Sequence, residues 1–183
     1  MVSLETPVCS FGWPAPSFSL PGIDGMTHTL DSATGTNGLL VMFICNHCPY
    51  VVAVANRLAQ DMSVLQAAGV GVIAIMSNDT VSYPQDSFEN MKIFSDKYGF
   101  PFPYVIDETQ QTGKAYGAIC TPDFFGFNKD LELQYRGRLD ESGRNPSPPD
   151  ARRELVDAML RVARTGVGPE NQTASIGCSI KWR

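Results

Sequence analysis

The chain has 183 residues, 43% of them hydrophobic and 18% charged, with a net charge of −5. That is enough for one domain with a sizeable core and too little for two ordinary ones. The acidic balance disfavours nucleic acid as a partner, because phosphate binding wants a basic face and the longest basic run is Arg152-Arg153.

The opening MVSLETPVCSFGWPAPSFSL lacks the basic start and long apolar stretch of a signal peptide. No segment approaches the ~18 apolar residues of a membrane span. A cytoplasmic location and no membrane partner are therefore expected. FSLPGIDGMTHTL reads as two short strands around a Gly-Ile-Asp-Gly turn. The unbroken apolar run from Gly38 to Ile44 predicts a central strand buried on both faces. Val51, Val54, Ala55, Leu58, Met62 and Leu65 recur at three- and four-residue steps and predict a helix ended by Gly69. VGVIAIM, from Val70 to Met76, predicts a second buried strand. Phe88, Met91, Phe94 and Tyr98 predict a second helix, stopped by Gly99 and the Pro101/Pro103 pair.

Tyr104-Val105-Ile106 suits a short strand, and residues 109–117 a short helix closing at Gly117. TPDFFGFN and LELQYRGRL predict two strands joined at Asn128-Lys129-Asp130. Ser147-Pro148-Pro149-Asp150 reads as a helix start, with Leu155, Met159, Val162 and Ala163 as the inner stripe of that helix. The order makes a three-layer α/β/α sandwich around one mixed sheet the economical fold, with an N-terminal β-hairpin and an inserted β-α. Residues 1–164 are read as the domain and 165–183 as a tail packing back on it. The tail is expected to dock through Ile180 and Trp182 and to be loose from Val167 to Thr173.

The segment Ile44-Cys45-Asn46-His47-Cys48-Pro49 falls where a strand gives way to a helix. The first turn of a helix offers unpaired N–H groups and the positive end of its dipole, which stabilise a thiolate. Cys45 is expected at the helix mouth, with Cys48 one turn further in and both sulfurs within disulfide reach. In a reducing compartment such a pair is catalytic or metal-binding rather than structural. His47 is expected to lower the thiol pKa of its neighbour and make the disulfide more oxidising. Cys45, His47, Cys48 and Cys120 are zinc-capable donors. Structural zinc sites bring two knuckles, however, and no second CxxC or HxxxH is present. No metal and no other cofactor is expected. Cys9 is read as inert, Cys120 as a small buried hydrophobe, His28 as a surface residue, and Arg136 and Arg138 as a solvated face.

GWPAPSFSL followed by GIDGMTHTL resembles the start of redoxin domains of the alkyl hydroperoxide reductase/thiol-specific antioxidant (AhpC/TSA) group of the thioredoxin superfamily. SNDTVSYPQDSFENM, FPYVIDETQ, AYGAICTPDFFGF and the terminal GCSIKW, with CNHCPYV, resemble one bacterial subgroup of it. The resemblance covers nearly the whole chain and implies a thioredoxin-like fold. It implies a cis Thr121-Pro122 bond facing the cysteine pair, with the Thr121 backbone pairing with an incoming peptide. Two departures stand out. Ile44 replaces the aromatic residue that thioredoxins place before the first cysteine. The strand from Gly38 to Ile44 carries no acid, so the proton acceptor is left open among His47, Asp107, Glu108 and water. Peroxiredoxins place Thr or Ser three residues before the peroxide-reacting cysteine that matches Cys48, and Cys45 stands there instead.

The resemblance implies an antioxidant-type thiol–disulfide oxidoreductase. Cys45 attacks a substrate disulfide, Cys48 resolves the mixed disulfide, and an external thiol reductant resets the pair. Its partner is a disulfide-containing protein or a small thiol or peroxide substrate. The alternatives are a thiol peroxidase reducing hydroperoxides and a non-catalytic thioredoxin-like binding module. Cys178 is a candidate third redox thiol if the tail brings it to the cysteine pair.

Overall fold

A computed structural model of the protein describes residues 3–148 and 150–183. Its elements are β1 (Ser3–Glu5), β2 (Ser19–Pro21), β3 (Thr27–Thr29), α1 (Leu30–Ala33), β4 (Leu39–Phe43), α2 (Pro49–Ala67), β5 (Gly71–Met76), α3 (Phe88–Tyr98), β6 (Tyr104–Ile106), α4 (Gln111–Tyr116), β7 (Cys120–Thr121), β8 (Asp123–Phe127), β9 (Leu133–Tyr135), α5 (Glu154–Thr165) and β10 (Ile176–Ser179). A 3-10 turn, Pro84–Asp86, precedes α3.

The main sheet has five strands in the order β6-β5-β4-β8-β9. β4, β5 and β6 run parallel, and β8 and β9 add antiparallel pairs. β4 is the middle strand because its five residues are buried on both faces. Alternation then splits the core. Leu40, Met42 and Ile44 meet α2, α3 and α5 on one side through Leu58, Met91 and Met159. Leu39, Val41 and Phe43 meet Phe18 and Leu20 of the hairpin region, Tyr116 of α4 and Ile180 of the tail on the other. Helices and hairpin thus cover both faces, the three-layer α/β/α arrangement. Among the described residues no helix is long and apolar enough to cross a membrane.

Local signals set most boundaries. The Ser87 hydroxyl accepts from Asn90 N–H at the start of α3, and Gly99 at φ 62 closes it in the left-handed region. The last helix departs from expectation. It begins at Glu154, not at Ser147–Asp150, of which Pro149 lies outside the described residues. A residue before proline is disfavoured in the helical region, and the double proline acts on both Ser147 and Pro148. Arg153, at the cap, reaches instead to Asp61.

The tail also departs. Its end forms β10, in a small sheet ordered β1-β10-β7. Ile180 is buried, but Trp182 is 39% exposed, with the Lys114 ammonium 5.6 Å from its ring centre. The ring lies across α4 as an amphipathic cover rather than a core anchor. The middle is not loose: Gln172 Oε1 accepts from Arg136 N–H at 2.8 Å, its Nε2 donates to Gln134 O at 2.9 Å, and Arg138 N–H donates to Thr173 O at 2.8 Å.

Three polar residues expected at the surface are instead paired with carboxylates. His28 is buried with Nε2 2.9 Å from Asp24. Arg136 pairs with fully buried Asp123 at 3.0 Å, and Arg138 with Glu154 at 2.7 Å. Carboxylates facing them from β8 and α5 account for this, and strand alternation could not reveal those partners.

Phe43 is fully buried in β4, with its ring 5.5 Å from Tyr116 and 5.7 Å from Phe125. Phe43→Ala should remove about 3–5 kcal/mol of stability. Urea unfolding should show a lower midpoint with an unchanged slope.

Candidate thiol site at the start of the second helix

β4 hands over to the site through Ile44, whose N–H still reaches Ile75 O at 3.1 Å. The chain then leaves the sheet, and α2 starts at Pro49 with Cys48 as its N-cap, at φ −69 and ψ 122. Pro49 decides this. Its ring fits the first helical position, where no N–H is needed, and it pushes the preceding residue into an extended conformation. Cys48, not Cys45, therefore occupies the helix mouth. The first helical bond runs from Val52 N–H to Cys48 O at 2.9 Å.

Thr121 gathers the sulfurs. Cys45 Sγ is 3.3 Å from its hydroxyl and Cys48 Sγ is 3.1 Å from its carbonyl. The Thr121-Pro122 bond is cis. Cys178 Sγ lies 2.8 Å from Cys48 Sγ, well beyond the ~2.05 Å of a disulfide, and all five cysteines are free thiols. Cys45, Cys48 and Cys178 are 1%, 0% and 4% exposed.

Charge is distributed unequally over the three. Cys48 is held down to about 5, first by a hydrogen bond from the Cys45 thiol, against the opposing effect of burial. The Cys178 thiol and the backbone N–H groups of Val51 and Cys178 add to it. Cys45 is pushed well up by its bond to Cys48, by burial and by the charge of Asp86. Cys178 is pushed up to about 12, first by burial and then by its bond to Cys48. The lowered thiol pKa expected on Cys45 falls on Cys48 instead, first because the Cys45 thiol donates to it.

His47 is bonded to a carboxylate rather than to a sulfur. Its Nδ1 is 2.8 Å from Asp86 Oδ2, and its ring stacks on Tyr83 at 5.6 Å and 8°. Asp86 raises the His47 pKa, chiefly through this bond. Fully buried Asp86 also accepts from Asn46 N–H at 2.8 Å and from Asn78 Nδ2 at 2.7 Å. The Tyr104 hydroxyl donates to Asn46 Oδ1 at 3.0 Å. The loop between the cysteines is pinned on both sides.

Sequence reasoning missed Asp86. It sits in SNDTVSYPQDSFENM, a stretch with no sequence proximity to the cysteines. Of the candidates for proton acceptor, Asp107 commits its Oδ2 to Ser77 at 2.9 Å and Gly113 N–H at 2.8 Å, and Glu108 is exposed. Asp86 is the buried carboxylate that faces the pair. Cys45, His47 and Asp86 carry donor atoms within 4.8 Å of one another and are the set among the described residues that could hold a metal ion. His47 and Asp86 already bond each other. Cys120 is buried with its thiol 3.6 Å from Pro122 O, and Cys9 is partly buried and pushed up to about 11 by desolvation.

The edge expected to receive a peptide is filled. β10 pairs antiparallel with β7, with Cys178 opposite Thr121. A Cβ on Gly177 would run into the Thr121 carbonyl, so this approach requires glycine. A groove of about 330 Å³ opens beside it, bordered by Tyr50, Pro122, Leu139, Arg144 and Ser175.

The AhpC/TSA family model matches residues 11–136. The chain belongs to the AhpC/TSA family. This AhpC/TSA chain is 29% identical over 133 residues to thiol-disulfide oxidoreductase ResA of Geobacillus thermodenitrificans, covering 71% of this chain and 70% of that protein. It is 30% identical over 115 residues to putative peroxiredoxin bcp of Coxiella burnetii, covering 63% of this chain and 71% of that one. A crystal structure of an uncharacterized conserved protein from Geobacillus kaustophilus superposes with TM-score 0.93 at 43% identity, over 100% of this chain and 97% of the other. The fold is thioredoxin-like, shared with a peroxidoxin, BcpB, from Mycobacterium tuberculosis at TM-score 0.61 and 14% identity, over 84% of this chain and 96% of that one. Redox chemistry at thiols is the activity that the named relatives share.

A thiol that ionises near 5 when folded and at ~8.5 when unfolded stabilises the fold fully above the unfolded value. That contribution is lost as the pH falls through about 5. Ultraviolet thiolate absorbance should accordingly persist at neutral pH and vanish near pH 5, and Cys48→Ser should abolish the step while Cys45→Ser moves it upward. Asp86→Asn should lower the His47 pKa, read from its imidazole proton resonances.

Proposed function

We propose that the protein is a thiol–disulfide oxidoreductase whose Cys45-Asn46-His47-Cys48 segment cycles between dithiol and disulfide. The observation that carries this reading is that both sulfurs lie against Thr121, Cys45 3.3 Å from its hydroxyl and Cys48, in its protonated form, donating to its carbonyl at 3.1 Å. A pair held by one residue can open and close a bond with little movement of the backbone. In this reading Cys48 attacks and Cys45 resolves, the reverse of the order expected, because the hydrogen bond from the Cys45 thiol, helped by the Cys178 thiol and the N–H of Val51, lowers the Cys48 pKa.

The Cys48 thiolate attacks one sulfur of a substrate disulfide. A Cys48–substrate bond forms, the substrate disulfide breaks, and the second substrate sulfur leaves as a thiolate. Cys45 then attacks Cys48, giving up its proton to the departing substrate sulfur. The protein is left with a Cys45–Cys48 disulfide and the substrate with one thiol and one thiolate, which takes its proton from water. An external thiol reductant restores the pair. His47 and Asp86 are positioning residues that hold the loop, and the bond to Cys48, burial and the Asp86 charge keep Cys45 protonated until the second step. The groove beside Tyr50 and Pro122 is where a disulfide-containing peptide would lie.

A second reading, thiol peroxidase, is favoured by one feature. Cys48 is a thiolate at a helix mouth, the place of the peroxide-reacting sulfur in peroxiredoxins. Cys45 in place of their Thr or Ser argues against it.

Reduction of insulin disulfides by dithiothreitol should be accelerated by wild type and should fall to the uncatalysed rate in Cys48→Ser and in Cys45→Ser. Hydrogen peroxide consumption under the same conditions should stay at background. Fast peroxide turnover with no insulin reduction would reverse the choice between the two readings.

A further inference from the structure

β10 lies where a substrate strand would lie. Cys178 is the direct cross-strand partner of Thr121, and Ser179 that of Cys120. The attachment continues on both sides: Ile180 N–H donates to Ile119 O at 3.0 Å, and the Ser175 hydroxyl donates to Pro122 O at 2.8 Å. On its far edge β10 pairs with Ser3–Glu5. The chain has laid one of its own strands along the Thr121 edge, with a cysteine in register with Thr121.

A cysteine kept only for packing would bury its sulfur among apolar side chains. The Cys178 sulfur instead meets the sulfur of Cys48 at 2.8 Å. Gly177 allows the strand to come this close, since any side chain there would strike the Thr121 carbonyl. Register, close approach and sulfur contact all bring Cys178 to the attacking sulfur.

We propose that Cys178 is a third redox thiol and that β10 is a substrate strand built into the chain, so that the Cys45–Cys48 disulfide exchanges to a Cys48–Cys178 disulfide. This rests on the thiol–disulfide reading above. Cys178 attacks the Cys48 sulfur, the Cys45–Cys48 bond breaks, and the Cys178 proton passes to Cys45. One disulfide is lost and one is gained, so no oxidant or reductant is consumed. The result is a bond between residues 130 positions apart, one sulfur of which sits on β10. An external thiol reductant then meets the disulfide on that strand rather than in the pinned loop. An incoming peptide that pairs with Thr121 must first displace β10.

The test is a disulfide map. Wild type is titrated with oxidised and reduced glutathione, quenched in acid, alkylated with N-ethylmaleimide and digested for mass spectrometry. Cross-linked Cys45–Cys48 and Cys48–Cys178 peptides should both appear, changing in proportion with the glutathione ratio. Cys45→Ser should give Cys48–Cys178 alone, and Cys178→Ser should give Cys45–Cys48 alone. The wild-type map decides by itself if Cys45→Ser does not fold. A Cys45–Cys48 bond with Cys178 alkylated at every ratio overturns this proposal and leaves the two-cysteine reading standing. Absence of any internal disulfide overturns both.

Discussion

Thr121 is the residue on which the site depends. Its hydroxyl, its carbonyl and its backbone edge each hold a different cysteine: Cys45, Cys48 and Cys178. The residue is fully engaged and 3% exposed. A short strand, β7, presents it, and Pro122 follows with no N–H to compete for the same space. The two ends of the chain also meet here, because β1 and β7 flank β10.

A buried carboxylate beside two thiols calls for an explanation, since an unpaired charge in the interior is costly. Asp86 satisfies the condition with three donors, from Asn46, His47 and Asn78. Lys181 joins the same network by donating its N–H to Asn78 Oδ1 at 2.9 Å. The tail is thus tied to the cysteine loop through Asn78 and Asp86 as well as through Cys178. The bond to Cys48, burial and then the negative charge of Asp86 disfavour a thiolate at Cys45, while the bond from Cys45, ahead of the Cys178 thiol and backbone N–H groups, lowers the Cys48 pKa. Two neighbouring thiols of one type are shifted in opposite directions by their bond to each other and by their surroundings.

The fold accounts for where this happens. A central strand buried on both faces has to be followed by a turn, and the open end of a parallel sheet is where β4 delivers it. α2 then returns along the sheet with Leu58, Met62 and Leu65 packed down. Its positive end points back at the turn. Burial of all three sulfurs at 4% exposure or less describes a closed state, in which the tail shields the thiols and the groove by Tyr50 stays open.

Periodicity and punctuation revealed the main elements. The run from Gly38 to Ile44 is the central strand, Gly99 and Gly117 close helices, and the residues around Gly22 to Gly25 form the hairpin turn. These signals are local, so they can be read from neighbours in the chain. Ser147 resembles a cap with proline in the first turn, yet α5 starts at Glu154, because a residue before proline is disfavoured in the helical region. The cysteine motif was visible, yet that Cys48 rather than Cys45 caps the helix turned on where Pro49 starts it. Asp86, 38 residues beyond Cys48 in the sequence, and the carboxylates facing Arg136 and Arg138 carry no local signature. The strand character of Ile176–Ser179 was likewise hidden, since a four-residue segment has too short a run for period-two alternation to register. By itself the sequence determined the layers, the central strand and the cysteine pair at its end. Tertiary structure alone decided that Thr121 would collect three thiols, because contacts between residues far apart in the chain depend on packing, not on spacing.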